Sequence, residues 1–224
     1  VISATVLEGN TKTLVSRYKM NSIIPLFSYP VMVCSKNYKF SDAEKKYILD
    51  LTMTDNVGNL MSSNDRVLES EKLSDLKAFI DSEISVYKNQ VLRMKTENEI
   101  YISQSWANKA KTNEFHQRHK HPNSILSGVL FFTGKEGDGL PPLKFHRSHD
   151  LFPLNFEYQE FNEFNTGARW FEPVEGRLIL FPSVVEHDVE KNKSDIDRIT
   201  LSFNTFVRGN LGGEAQLTQV NIPR

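Results

Sequence analysis

The chain has 224 residues, with 27 Lys plus Arg against 28 Asp plus Glu, and a single cysteine, Cys34. The formal charge of −1 argues against a dedicated nucleic-acid binder, whose domain is usually basic, and one cysteine excludes an intrachain disulfide framework. A chain of this size buries roughly 70% of its unfolded surface, so neither a disulfide nor a structural metal is needed merely to fold it.

Residues 1–20 alternate weakly (Val1, Ser3, Thr5, Leu7), which predicts an edge strand or a loose arm. No basic segment precedes an apolar run there, so no signal peptide is expected. The most apolar stretch, residues 23–33, is interrupted by Pro25 and Pro30 and falls short of the roughly 20 residues a spanning helix needs. It reads as an irregular segment followed by a strand kept off the sheet interior by its prolines. A soluble, cytoplasmic protein with no membrane partner is the expectation.

Ser41-Asp42-Ala43-Glu44 has the form of a helix start, predicting a short helix to about Thr54. Residues 55–71 are polar and turn-rich. Ser74 then reads as the N-cap of a longer helix. Its stripe of Leu76, Phe79, Ile80, Ile84, Tyr87, Val91 and Leu92 recurs at steps of three and four and should pack on a sheet.

After about residue 97 the texture changes to short strands, predicted at 101–108, 127–132, 143–146, 177–181 and 198–206, with turn signals between them. Helices first and a β-rich core second is an α+β, mainly β order, pointing to an antiparallel sandwich or barrel. The long connection 145–170 carries Phe152, Phe156, Tyr158, Phe161 and Phe164. It reads either as a lid or substrate wall or as a loop filling a satellite core. Trp106 and Trp170 read as packing aromatics, and residues 190–197 as a solvated hairpin turn.

Three of the six histidines, His116, His119 and His121, fall close together. On a strand, residues i and i+2 face the same side, so His119 and His121 would present two imidazoles to one divalent metal while Lys120 points away. Imidazole suits iron, zinc, copper and nickel. His187 follows the strand ended by Pro182-Ser183, which would place it at the mouth of a barrel. Arg198 opens an alternating strand in which Ile199, Leu201 and Phe203 share one face and Arg198, Thr200, Ser202 and Asn204 the other. An inward arginine is costly unless it meets an anion. Its fork suits a carboxylate, supplied either by a ligand or by a neighbouring Asp or Glu. His116 reads as a neighbour of the metal or a substrate-facing group rather than a ligand, and His146 and His149 as exposed loop residues. Asp188 could orient His187 or simply be solvated.

The ordered set resembles the Fe(II)- and 2-oxoglutarate-dependent oxygenase superfamily, and within it a group of bacterial and phage oxygenases similar to prolyl-4-hydroxylases. The motifs are Ser105-Trp106-Ala107-Asn108, His119-Lys120-His121-Pro122-Asn123-Ser124-Ile125-Leu126-Ser127-Gly128, residues 176–183, His187-Asp188-Val189 and residues 198–204. The likeness spans roughly residues 22–208. It implies a double-stranded β-helix, a jelly-roll of cupin type, with N-terminal helices packed on one face. The whole chain would then be a single domain: an arm (1–20), a helical support (22–97), the β-helix core (98–208) and a tail (209–224).

The resemblance implies that His187 is the distal iron ligand and that Arg198 binds the far carboxylate of 2-oxoglutarate, assisted by Thr200 or Ser202. Asn108 and Ser127 are further co-substrate contacts. No catalytic residue is implied beyond the metal centre. The family's first ligand pair is usually His-x-Asp or His-x-Glu, whereas this chain has His121 in the third place. Three arrangements follow: a three-histidine site of His119, His121 and His187; one of the first pair with His187 and water; or a carboxylate such as Asp138 or Asp188 completing the set. The implied activity is hydroxylation of a peptide, protein or small molecule with 2-oxoglutarate and O2, releasing succinate and CO2. The same fold would also suit a metal-binding interaction module or a cupin-type dioxygenase that needs no 2-oxoglutarate. A homodimer is compatible with this reading.

Overall fold

The computed structural model describes residues 28–148, 153–154 and 156–223; the expected N-terminal arm and His149 lie outside the described residues. The first helix, α1 (Asp42–Leu49), begins as its sequence predicts. Ser41 Oγ accepts the Glu44 amide at 3.3 Å and Glu44 Oε2 accepts the Ser41 amide at 2.7 Å, a reciprocal cap that satisfies two otherwise unpaired N–H groups. It stops at Leu49, short of Thr54, because the chain turns into a hairpin of β2 (Met53–Asp55) and β3 (Leu60–Ser62). Gly58, at φ 83°, supplies the left-handed conformation at that hairpin's tip. β2 thus takes up the end of the expected helix, and β3 lies within the stretch expected to be turn-rich.

The second helix, α2 (Ser74–Tyr87), has Leu73 rather than Ser74 at its N-cap, following two 3-10 turns of which the second is capped by Ser70. Leu76, Ile80, Ile84 and Tyr87 are buried as the periodicity predicts. A π-helical turn at Lys88–Leu92 then breaks the 3.6-residue phase, which leaves Val91 and Leu92 at 40% and 39% exposure. The stripe is therefore shorter than its sequence suggests.

Two antiparallel sheets make up the rest. The larger contains β1 (Met32–Val33), β4 (Glu99–Ala110), β6 (Leu126–Phe131), β9 (Leu178–Pro182), β11 (Arg198–Leu211) and the hairpin already described. Its order is β1-β9-β6-β11-β4-β3-β2, with β12 (Val220–Ile222) pairing β11. The smaller comprises β5 (His116–His119), β7 (Leu143–His146), β8 (Ala168–Phe171) and β10 (His187–Val189), in the order β5-β10-β7-β8. Three strands of the larger sheet come from the region expected to be a helical support, so the helices and sheet are not cleanly segregated along the chain. As expected, the strand following Pro30 lies at a sheet edge.

Side-chain alternation sorts the larger sheet into two faces. Leu130, Leu178, Leu180, Leu201 and Phe203 face the helices and pack with Leu76, Ile80 and Ile84. Val129, Phe131, Ile179 and Phe181 face the smaller sheet and pack with Leu143, Phe145 and Val189. The result is three layers: helices, large sheet, small sheet. No helix among the described residues is long and apolar enough to cross a membrane.

Gly128 sits beneath the Phe203 ring, and a Cβ there would lie 2.0 Å from Phe203 Cζ. Gly128→Ala should destabilise the protein by about 2–3 kcal/mol through overpacking. Urea unfolding measures this directly, and an unchanged midpoint would show that Phe203 yields freely.

Candidate metal centre

The short antiparallel register of the smaller sheet builds this site. His187 begins β10 and lies directly opposite His119, the last residue of β5. His121 falls just beyond that strand, so it does not owe its position to strand alternation. Its backbone N–H donates to the Ser183 carbonyl at 3.0 Å, which ties the following loop to the end of β9 and swings the ring back. Ring centroids are 4.9 Å apart for His119 and His121, 4.3 Å for His119 and His187, and 5.1 Å for His121 and His187. One nitrogen from each ring falls within 4.8 Å of the others.

Backbone carbonyls settle two of the tautomers. His187 Nδ1 lies 3.0 Å from the Val185 carbonyl oxygen, and His119 Nδ1 lies 2.8 Å from that of Gln117. A carbonyl only accepts, so both Nδ1 atoms carry hydrogen and both Nε2 atoms keep their lone pairs. His121 Nε2 lies 3.3 Å from His187 Nε2.

Burial keeps these rings uncharged. It lowers His187 to a pKa of about 2, assisted by the His119 charge and opposed by the Val185 hydrogen bond. Burial followed by the His119 charge lowers His121 to about 4, and burial also lowers His119. His187 is 3% exposed, packed against Phe181 and Phe145 with centroids at 4.9 and 5.8 Å. It is a buried residue, not one at an open barrel mouth, because Phe145 and Phe181 wall it in.

The cavity beside these rings is also lined by Arg198, Thr200, Ser202 and Asn108. β11 places Arg198, Thr200 and Ser202 on its inward face, as the alternation predicts, and its register sets Thr200 opposite Asn108 on β4. Arg198 is 5% exposed. Its Nε donates to the Pro141 carbonyl at 2.9 Å, and its Nη2 is buried with no hydrogen-bond partner. No described carboxylate forms an ion pair with it, so the internal Asp or Glu partner considered from the sequence is not found among the described residues. Desolvation lowers its pKa to about 10, which leaves it charged at neutral pH. Asn108 donates to Ser202 Oγ at 3.0 Å, while its own Oδ1 is a second buried atom without a partner. The free space among these groups is about 20 Å³, room for a single water.

Other candidates fall elsewhere. Ser127 Oγ bonds Ser183 Oγ at 2.8 Å and Asn204 Oδ1 at 2.9 Å, in a polar network outside the residues that line the cavity. Asp138 accepts the Lys135 and Leu140 amides within its own turn, which removes it as a third ligand. Asp188 accepts from His146 Nε2 at 2.6 Å, so the Val185 carbonyl, not Asp188, orients His187. His146 is consequently a half-buried residue of β7 rather than an exposed loop residue. Trp170 is 59% exposed, not packed in a core. Residues 190–197 are largely exposed as expected, except Asn192, which is buried and bonds Ala110 and Ile196 carbonyls.

Trp106 and His116 both line the cavity, although the sequence suggested only packing for the first. The signal was available: Trp106 is two residues from Asn108 on one strand and therefore shares its face. His116 stacks on His119 at 4.4 Å with planes 19° apart, and burial followed by the His119 charge lowers its pKa to about 3.

Residues 104–204, a little under half of the chain, match the family described as "Putative 2OG-Fe(II) oxygenase". No curated protein matches the sequence. Among solved structures, a 2OG-Fe(II) oxygenase-family oxidoreductase from Burkholderia pseudomallei aligns with TM-score 0.54 at 13% identity, covering 78% of this chain and 83% of that one. HygX from Streptomyces hygroscopicus, crystallised with nickel, 2-oxoglutarate and hygromycin B, aligns with TM-score 0.57 at 8% identity over 78% of this chain and 82% of its own. A prolyl hydroxylase from Trichoplax adhaerens, in complex with a peptide of hypoxia inducible factor, aligns with TM-score 0.53 at 12% identity over 79% and 83%. These likenesses establish a shared fold.

A buried guanidinium with an unpartnered nitrogen costs stability in the ligand-free protein. Arg198→Met, which fills the same space without the charge, should raise unfolding stability by about 1–3 kcal/mol. Calorimetry of the metal-free protein would detect this, and a lower melting temperature would show that the Pro141 bond outweighs the orphaned nitrogen.

Proposed function

We propose, from the premise that residues 104–204 belong to the 2OG-Fe(II) oxygenase superfamily, that this chain is an iron(II)- and 2-oxoglutarate-dependent dioxygenase. In this reading it hydroxylates a C–H bond of a peptide, protein or small molecule, on a double-stranded β-helix core, and works in the cytoplasm. The observation that carries the reading is the convergence of His119, His121 and His187 beside the orphaned guanidinium of Arg198.

The donor set fits iron(II). Three neutral imidazoles offer nitrogen lone pairs to one point, and imidazole is a good ligand for that ion. His119, His121 and His187 would hold it, with the Gln117 and Val185 carbonyls fixing two of the rings in the required tautomer. Iron(II) with 2-oxoglutarate supplies oxidative decarboxylation to succinate and CO2, coupled to oxidation of a substrate bond by O2.

The remaining work belongs to the chain. Arg198 holds a charged fork with no ion-pair partner among the described residues, although Asp188, held by His146, also lines the cavity, and the far carboxylate of 2-oxoglutarate would be its partner. The Thr200 and Ser202 hydroxyls and the Asn108 amide can fix the rest of that molecule's polar surface. Val129, Leu143, Phe145 and Phe181 exclude water from the iron side. Because the free space is small, side chains lining the cavity must shift to admit the co-substrate. His121 in place of a carboxylate leaves the ligand set neutral, one unit more positive than the family's usual set, and so favours a dianionic co-substrate. The nickel and 2-oxoglutarate bound by HygX support this reading of the cofactors.

Anaerobic calorimetric titration with nickel(II) tests the ligands. His119→Ala, His121→Ala and His187→Ala should each weaken binding by about 100-fold or more, beyond the range typical of losing a supporting group. His116→Ala should leave the stoichiometry intact. Arg198→Ala should keep the metal and weaken 2-oxoglutarate by about 10–100-fold. Succinate formation by the iron-loaded protein should require 2-oxoglutarate; oxygen uptake without succinate would replace this reading with a dioxygenase that does not use it.

A further inference from the structure

The smaller sheet carries more than metal ligands along one row. His187 pairs with His119 on one side and with Phe145 on the other, and Phe145 in turn pairs with Arg169 of β8. Residues directly opposite each other share a sheet face. Arg169 therefore stands on the same inward side as the imidazoles, two strand spacings from His187, about 10 Å away.

A cleft of about 330 Å³ opens at this end of the sheet, between Tyr29 and Val31 on one side and β8 on the other. Phe145 forms its inner wall and is also the ring against His187, so one aromatic side chain separates cleft and metal site. Phe171 and Val185 extend the apolar lining, and the Val185 carbonyl is the group that orients His187.

The charged groups facing this cleft differ in their freedom. Arg147 Nη2 donates to the Phe164 carbonyl at 2.7 Å, and His146 is held by Asp188. The Arg169 side chain is exposed and has no hydrogen bond or ion pair with any described residue. Glu163 is the one carboxylate lining the cleft among the described residues, and it forms no ion pair with Arg169.

We infer that this cleft is the primary-substrate site, and that Arg169 anchors a carboxylate on an otherwise apolar or aromatic substrate whose reacting bond lies about 10 Å away, past Phe145. This rests on the oxygenase reading above and adds the substrate's chemical class. The cleft is distinct from the co-substrate cavity, because Arg198 and Arg169 stand on different sheets and line different hollows.

The probes are 4-phenylbutyrate and its neutral amide, 4-phenylbutanamide, titrated calorimetrically into protein saturated with nickel(II) and 2-oxoglutarate so that Arg198 is already occupied. The acid should bind about tenfold or more tightly than the amide. Arg169→Ala should abolish that preference, Arg169→Lys should keep part of it, and neither should alter nickel or 2-oxoglutarate affinity. Glu163→Gln should tighten the acid. Equal binding of the two probes, no binding of either at millimolar concentration, or an unchanged preference in Arg169→Ala would overturn the inference while leaving the oxygenase reading intact. Failure of the wild-type protein to bind 2-oxoglutarate would instead overturn the oxygenase reading.

Discussion

Everything at this site depends on a strand three residues long. β10 brings His187 opposite His119 on one edge and opposite Phe145 on the other. A one-residue slip would turn Asp188 inward and send the imidazole to the far face. The register is pinned from both sides. Val185 and Val189 are buried in the inter-sheet core, and Asp188 is held by His146 on the next strand. Apolar packing thus sets the position of a polar group.

The electrostatics of the cavity run in one direction. Its imidazoles are neutral through burial, its arginine stays charged despite burial, and no described carboxylate is paired with that arginine. Ordinary folds avoid such an arrangement, since an unpaired charge away from water is among the costlier things to bury. Three orphaned atoms, Arg198 Nη2, Asn108 Oδ1 and Asp188 Oδ1, lie on residues lining the same small space. A ligand with both acceptor and donor character would satisfy them.

Phe145 divides two environments. On one side its ring meets His187 and Phe181; on the other it lines the cleft at β8. The connection leading to β8 presents Phe156, Tyr158 and Phe161 as an exposed set of edge-on and tilted rings, not as a satellite core. Phe152 lies outside the described residues. The exposure of Phe156, Tyr158 and Phe161 speaks against the satellite-core reading, and none of the three lines the cleft at β8; Phe161 borders a separate hollow with Trp170.

Much of this was legible in the order of residues. The period of two along β11 assigned Arg198, Thr200 and Ser202 to one face, and the spacing of apolar residues found α2 and most strands of the core. These are local properties: alternation and helical stripes are set by backbone geometry and need no knowledge of distant partners. The hairpin at residues 53–62 escaped because its strands are three residues each, too short for a pattern to emerge. The π-helical turn escaped because nothing in a hydrophobic stripe announces a change of phase. His119 and His121 were paired correctly for the wrong local reason: the strand ends at His119, and a loop bond to Ser183 brings the second ring round. What sequence alone determined, then, was which residue types could share a face. Which carbonyl orients His187, where Asp188 turns, and that Arg169 stands in the histidine row were decided only by tertiary structure, because cross-strand register is fixed by packing between segments far apart in the chain.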